Sequence, residues 1–433
     1  MRVYQLFVRN YSQQGTFEEV TKSIKKIKDL GIDCIYLLPI HPVGIKDKKG
    51  DLGSPYSIRD YEKIDPRHGT FEDFKTLVKS IHDEGMKIIM DAVINHTAKD
   101  NELITTHPEW YYTVDGKISA KVKEWYDIVD LDYECKDKDN LITYIIDVFK
   151  FWLELGVDGF RCDVASKVPE HVWEKCITEC KGQYNKSIWI AESFHLKFSE
   201  NNHNVLSENT LLKHFDLTYD YSLWKLFNSV VKGYAELEYY LDHVRLQLCN
   251  NRGRYLRFLE NHDTQRFLSN ADTKTTQAWL GFLNMLPDSI MIYNGFEYSN
   301  KTTPSLFQKD IIQKNENNIL PLLPNIMGIK QYTKQLPVTS DVYILKIKPL
   351  TVVVYDRETT RGLYGIFFVR NENNTNGKIF DVELNDGVYQ DIISAKNLVL
   401  KSKTLQVSTS EAGCIVLQFK QKQRLRSYKS NLF

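Results

Sequence analysis

A chain of 433 residues and 50.6 kDa has room for roughly two to four domains. Its 42% hydrophobic content, with 25 Tyr, 21 Phe and 7 Trp, excludes disorder as the main state. Lys+Arg and Asp+Glu both number 56, so the formal net charge is zero: no global field draws the chain to nucleic acid or an anionic membrane, and a neutral partner is expected.

Cys34, Cys135, Cys162, Cys176, Cys180, Cys249 and Cys414 are an odd, scattered set, as expected of free thiols in a reducing cytoplasm. Cys176 and Cys180 would share one helix face, but no second pair completes a zinc site. The first residues read directly as a strand rather than an apolar leader, and no run reaches the ~18 apolar residues of a membrane span. A soluble, cytoplasmic protein is the expectation; oligomeric state is not legible.

In chain order, short apolar runs alternate with helical patterns. Strands are predicted at 3–8, 34–39, 87–93, 157–162, 187–191, 214–218, 255–259 and 289–293, with the first two helices near 17–30 and 71–84 and a helical pattern after each later strand. Eight βα units without a glycine-rich phosphate loop predict an α/β fold, a (β/α)8 TIM barrel rather than a doubly wound sheet. The polar, aromatic stretch after strand three is too long for an ordinary loop and predicts a small inserted domain. From about residue 336 the pattern turns to short alternating runs (342–347, 350–355, 363–369, 379–384, 398–400, 404–407, 413–419), with a hairpin turn at Asn385-Asp-Gly387, predicting an antiparallel β-sandwich. The expected domains are therefore 1–94 and 137–335 for the barrel, 95–136 for the insertion, 336–420 for the sandwich and 421–433 for a basic tail.

In such a barrel the working residues sit at the C-terminal ends of strands. Strand three closes with Asp91, then Asn95 and His96. Strand four carries Arg161 and Asp163, two apart and so facing the same way; strand five ends at Glu192, and strand seven runs into Glu260, Asn261, His262 and Asp263. Each carboxylate alone reads as a cap or an ion-pair partner. Three converging on one rim suit glycosidic cleavage, which needs one acid to protonate the leaving oxygen and one carboxylate to act at the anomeric carbon. Arg161 is expected to keep Asp163 ionised, and like-charge crowding to keep Glu192 protonated.

The segments 91–96, 159–163, Glu192 and 260–263 resemble, in order and spacing, the four motifs of the α-amylase family, glycoside hydrolase family 13. The stretches 31–39, 53–67, 129–132 and 293–297 resemble it too. The resemblance implies a retaining hydrolase that cleaves α-1,4-glucosidic bonds of starch, glycogen or maltooligosaccharides through a covalent glycosyl-enzyme. Asp163 would be the nucleophile, Glu192 the acid/base and Asp263 a grip on the sugar, with Tyr56, Asp91, His96, Arg161 and His262 binding substrate. It also implies a structural calcium ion, with Asn95 and Asp130 as candidate ligands. Two departures stand out. Ser166 and Lys167 occupy the places where many endo-acting members carry Lys-His, and the run 41–56 resembles bacterial maltosyltransferases that use maltose 1-phosphate, which makes transglycosylation the alternative. Some relatives have lost the carboxylates and serve as binding or chaperone-like subunits, but this chain keeps all three. In the insertion, Trp110, Tyr111, Tyr112 and Trp125 read as sugar platforms or as a local core, core for at least half of them.

Overall fold

Runs dominated by Val, Ile, Leu and aromatic residues form eight parallel strands: β1 (Arg2–Leu6), β2 (Cys34–Leu37), β3 (Lys87–Ala92), β4 (Gly159–Cys162), β5 (Ile188–Ala191), β6 (Leu217–Tyr219), β7 (Tyr255–Phe258) and β8 (Ser289–Tyr293). They close in sequence order, β1 pairing with both β2 and β8. The computed structural model describes residues 1–193, 205–314, 319, 321–333, 342–347, 350–355, 363–369, 379–383, 386–400, 404–408 and 413–421. The tail expected beyond 421 lies outside the described residues.

Alternation along each strand builds two cores. One set (Val3, Cys34, Tyr36, Ile89, Ile190, Tyr219, Leu256, Met291) packs inside the barrel. The other, including Tyr4, Ile35, Ile88 and Trp189, meets the helices outside. Gln5, Asp91 and Arg161 share the parity of the inner set, so their polar groups point up the barrel axis. Outside, helix α1 (Phe71–Asp83) shows the local logic. Thr70 and Asp73 form a capping box at its start, and Phe74, Leu77, Val78 and Ile81 bury one stripe.

Two strand starts differ from expectation by more than one residue. β6 begins at Leu217 because 212–215 close the turn of the short helix Glu208–Leu211, with Phe215 N–H donating to Leu211 O. β4 begins at Gly159, whose φ of +151° and contact with β5 leave no room for a side chain: a Cβ there would lie 2.0 Å from Ile188 O.

Between β3 and helix α2 (Lys138–Glu154), the inserted segment pairs His96–Ala98 with Ile128–Asp130 and Thr113–Val114 with Lys117–Ile118. The barrel continues through α3 (Glu170–Gln183), α4 (Tyr221–Val231), α5 (Leu237–Asn251), α6 (Thr273–Met285) and α7 (Leu323–Thr333). The C-terminal part is antiparallel. Strands β9 (Val342–Ile347), β10 (Leu350–Tyr355), β11 (Leu363–Phe367), β13 (Gly387–Asp391), β14 (Asn397–Leu400) and β16 (Cys414–Gln421) form a sheet in the order β9-β10-β11-β16-β13-β14, while β12 (Ile379–Glu383) pairs with β15 (Thr404–Ser408). The strands on either side of the expected hairpin at 385–387, β12 and β13, belong to different sheets, while Asn385 itself lies outside the described residues; β13 was not among the expected runs. Helix α6 is buried on all sides from Thr275 to Met285, with Gly281 against Phe367 and Cys414.

The lack of room for a side chain at Gly159 gives a direct test. Gly159→Ala is expected to cost more than ~3 kcal/mol and to lower the melting temperature sharply. Gly182→Ala, on an exposed part of α3 with no neighbour within 4 Å, should stabilise by ~0.5–1 kcal/mol. Thermal melts of both variants would show equal shifts if the close approach of β4 and β5 were unimportant.

Candidate active site

The upper end of the barrel opens into a groove of about 860 Å³ lined by Tyr56, His96, Asp163, Glu192, His262 and Asp263 among others. Six of the residues singled out in the sequence thus meet in one place. Arg161 and Asp91, fully buried beneath them, complete the constellation.

Arg161 is its centre. Its Nη1 donates to Asp91 Oδ1 at 2.7 Å and to Asp163 Oδ1 at 3.0 Å, and its Nη2 pairs with Glu192 Oε1. Tyr219 lies under the guanidinium, 5.3 Å from ring centroid to charge. The next turn is strained. Val164, directly after Asp163, has φ 37° and ψ 43°, a left-handed conformation that a β-branched residue adopts only when its surroundings impose it. This conformation accompanies a hydrogen bond from Val164 N–H to Glu192 Oε2 at 2.7 Å.

A second network sets the rings of Tyr56 and His262. Asp91 Oδ2 accepts from Tyr36 Oη at 2.6 Å and Tyr56 Oη at 3.0 Å. Gln5 Oε1 accepts the His262 backbone N–H at 3.2 Å, so its amide nitrogen faces His262 Nδ1 at 2.9 Å and must donate to it. The imidazole proton therefore sits on Nε2, which lies 2.5 Å from Tyr56 Oη and 3.1 Å from Asp263 Oδ2. Burial holds His262 and His96 below the usual histidine range, so both rings are neutral at pH 7. The Tyr56 and His262 rings stack at 5.4 Å and 16°.

The protonation pattern differs from the expected one in cause at Glu192 and in direction at Asp163. Burial, more than like-charge crowding, pushes the Glu192 carboxyl up to about 7; Asp263 adds to the shift, while Arg161 and the Val164 N–H oppose it. Asp163 is also pushed up, by burial and then by Glu192, because Arg161 divides its charge among three carboxylates instead of serving Asp163 alone. The Asp163–Glu192 pair consequently titrates as a unit that retains one proton near neutral pH.

Asn95 and Asp130 meet, but in a geometry unsuited to a hard cation. Asn95 Nδ2 donates to Asp130 Oδ1 at 2.7 Å and the Lys121 N–H donates to Oδ2 at 2.5 Å, so both carboxylate oxygens face N–H groups. Of the insertion aromatics, Trp110 and Tyr111 are buried, Tyr112 is half-buried, and Trp125 lines the groove with the Lys167 ammonium 4.4 Å from its ring centroid.

Several contributors escaped sequence reasoning. Gln5 and Tyr36 were detectable as polar groups at inward positions of apolar runs. Trp224 and Asn228 of α4 and Lys49, Asp127 and Phe307 also line the groove, but they are scattered over segments with no strand-end signature.

Comparison with known proteins agrees with this geometry. The family model described as alpha amylase, catalytic domain, matches residues 7–128 and 123–320. Among solved structures, an α-amylase from Lactobacillus plantarum is 32% identical with a TM-score of 0.86, covering 97% of this chain and 98% of that one. A noncanonic maltogenic α-amylase, AmyB, from Thermotoga neapolitana is 28% identical with a TM-score of 0.82, over 97% and 99%. Two relatives are α-1,4-glucan:maltose-1-phosphate maltosyltransferases. The one from Picrophilus torridus is 30% identical over 54% of this chain and 39% of its own length, and the one from Cereibacter sphaeroides is 29% identical over 69% and 46%. The chain thus matches less than half the length of these two relatives. With the catalytic-domain match spanning most of the chain, and the barrel carrying the expected carboxylates at its mouth, this protein belongs to the α-amylase family.

Proposed function

We propose that the protein is a retaining hydrolase of α-1,4-glucosidic bonds in starch- or glycogen-type glucans and maltooligosaccharides. The observation that carries this reading is the buried guanidinium of Arg161 shared by Asp163 and Glu192, which holds a nucleophile and an acid side by side over one proton. Asp163 attacks the anomeric carbon while Glu192 gives its proton to the departing oxygen, forming a glycosyl ester. Glu192, now a carboxylate, takes a proton from water; the water attacks the same carbon and frees Asp163, so configuration is retained. Tyr56 offers a flat apolar face to the sugar's C–H bonds, and neutral His96 and His262 hydrogen-bond its hydroxyls, which suits an uncharged substrate. The free cysteines fit a reducing, cytoplasmic setting; among the described residues no helix is long and apolar enough to cross a membrane.

A second reading, transfer of a maltosyl unit from maltose 1-phosphate to a glucan, draws on the maltosyltransferase relatives. It uses the same intermediate with a sugar hydroxyl in place of water. Incubation with maltoheptaose alone, and with maltose 1-phosphate plus glycogen, separates the two. Hydrolysis of the first without phosphate release from the second supports the hydrolase.

Asp163→Asn and Glu192→Gln are each expected to lower kcat by ~10²–10⁴ or more with an unchanged circular dichroism spectrum. Full turnover in either would remove the assignment. Because Glu192 works as the protonated acid, kcat/KM should fall as pH rises through about 7, where its proton is lost. A profile flat from pH 6 to pH 9 would contradict that role.

We also propose that the junction of barrel and insertion is held by the Asn95–Asp130–Lys121 hydrogen bonds without calcium. Excess chelator should leave the melting temperature unchanged; a drop reversed by added calcium would overturn this.

A further inference from the structure

The groove is lined in part by Lys49, Asp127 and Phe307, which come from three separate segments: the connection after β2, the insertion, and the connection after β8. They meet around one ammonium group. Lys49 Nζ pairs with Asp127 Oδ1 at 2.8 Å and lies 5.1 Å from the Tyr126 ring centroid and 5.9 Å from that of Phe307. Asp127 is buried, and Lys49 supplies its ionic partner.

The three segments are also fastened by backbone contacts. Leu52 N–H donates to Phe307 O at 2.9 Å, and Gly50, at φ +59°, approaches Phe307 so closely that a Cβ would stand 2.9 Å from that residue's own Cβ. Buried Arg9 donates through Nη1 to both Gly53 O (3.0 Å) and Leu306 O (2.8 Å). Ser57 Oγ donates to Asp127 O at 2.9 Å, and Lys99 of the insertion pairs with Asp47 at 2.8 Å. The junction is a cross-linked bar rather than three free loops.

Its place in the barrel gives it meaning. β2 and β8 flank β1, and β1 stands opposite β5, the strand that ends at Glu192. The acid must face the departing oxygen, so the leaving part of a glucan lies toward β5. The part retained on Asp163 would then run the other way, toward the β1 side of the rim, where the connections after β2 and β8 that carry Lys49 and Phe307 emerge. We propose that the Lys49–Asp127–Phe307 bar closes this donor end of the groove, so that the enzyme engages glucans at their non-reducing ends and releases short fragments from there. The inference rests on the hydrolase reading above and adds to it the mode of attack.

The test uses the full chain and p-nitrophenyl α-maltoheptaoside, with and without an ethylidene group blocking its non-reducing glucose. The wild-type protein is expected to cleave the blocked substrate at least ~10-fold more slowly than the free one, because the blocked terminus does not fit against the bar. Lys49→Met and Phe307→Ala should each narrow that ratio and yield a broader set of labelled products, and Lys49→Arg should keep the wild-type pattern. Two variants guard against misfolding in one of them, with the melting temperature as the control. Equal cleavage of both substrates by the wild type, or an unchanged ratio in folded Lys49→Met and Phe307→Ala, overturns the bar while leaving the hydrolase intact. No turnover of either substrate by the wild type removes the hydrolase reading and the bar with it.

Discussion

A guanidinium without water around it is the constraint on which the site depends. Arg161 is fully buried in the barrel, where an unpaired charge would be strongly destabilising, so the carboxylates around it are a structural necessity before they are a chemical resource. Asp91 is a fully buried partner of the guanidinium, tied down by Tyr36 and Tyr56. Asp163 and Glu192 compete for what charge remains, and that competition leaves a proton on the pair. On the proposed reading, one electrostatic balance supplies both a nucleophile and an acid.

The barrel supplies the positions through its two-residue period. Residues of one parity on β1, β3 and β4 (Gln5, Asp91, Arg161) look inward among apolar neighbours, and each is held by a partner on, or just beyond the end of, another strand. Gln5 shows how far the influence reaches: its amide, on β1, fixes which nitrogen of His262 carries the proton, and through it what Tyr56 and Asp263 face. Strained Val164 serves the same end on β4, since its N–H reaches Glu192 from a conformation that a relaxed backbone would not hold.

Much of this was written in local patterns. The eight strands follow from short apolar runs, and the carboxylates stand out because polar residues at the ends of such runs have few reasons to be there. What stayed hidden depends on distance in sequence. The division of Arg161 among three carboxylates requires knowing that β3, β4 and β5 are neighbours and how deeply they lie, and depth is why burial outweighs crowding at Glu192. The pairing partners of β12 and β13 stayed hidden because a run such as Asn-Asp-Gly favours a reversal of the chain without specifying which strand will pair with which. Lys49, Tyr126, Asp127 and Phe307 carry no shared local signature, and only the closed barrel brings them together.

Helix α6 carries a last consequence. With every residue from Thr275 to Met285 buried between the barrel and the C-terminal sheet, and Gly281 allowing Phe367 and Cys414 to close on it, neither side of this seam owns the helix. Detaching the sheet would expose an apolar surface at the back of β7 and β8, the strands whose ends carry Asp263 and Phe307 to the groove. The C-terminal sheet is therefore part of the same cooperative unit as the chemistry, and the natural boundary for shortening this protein does not fall at the end of the barrel.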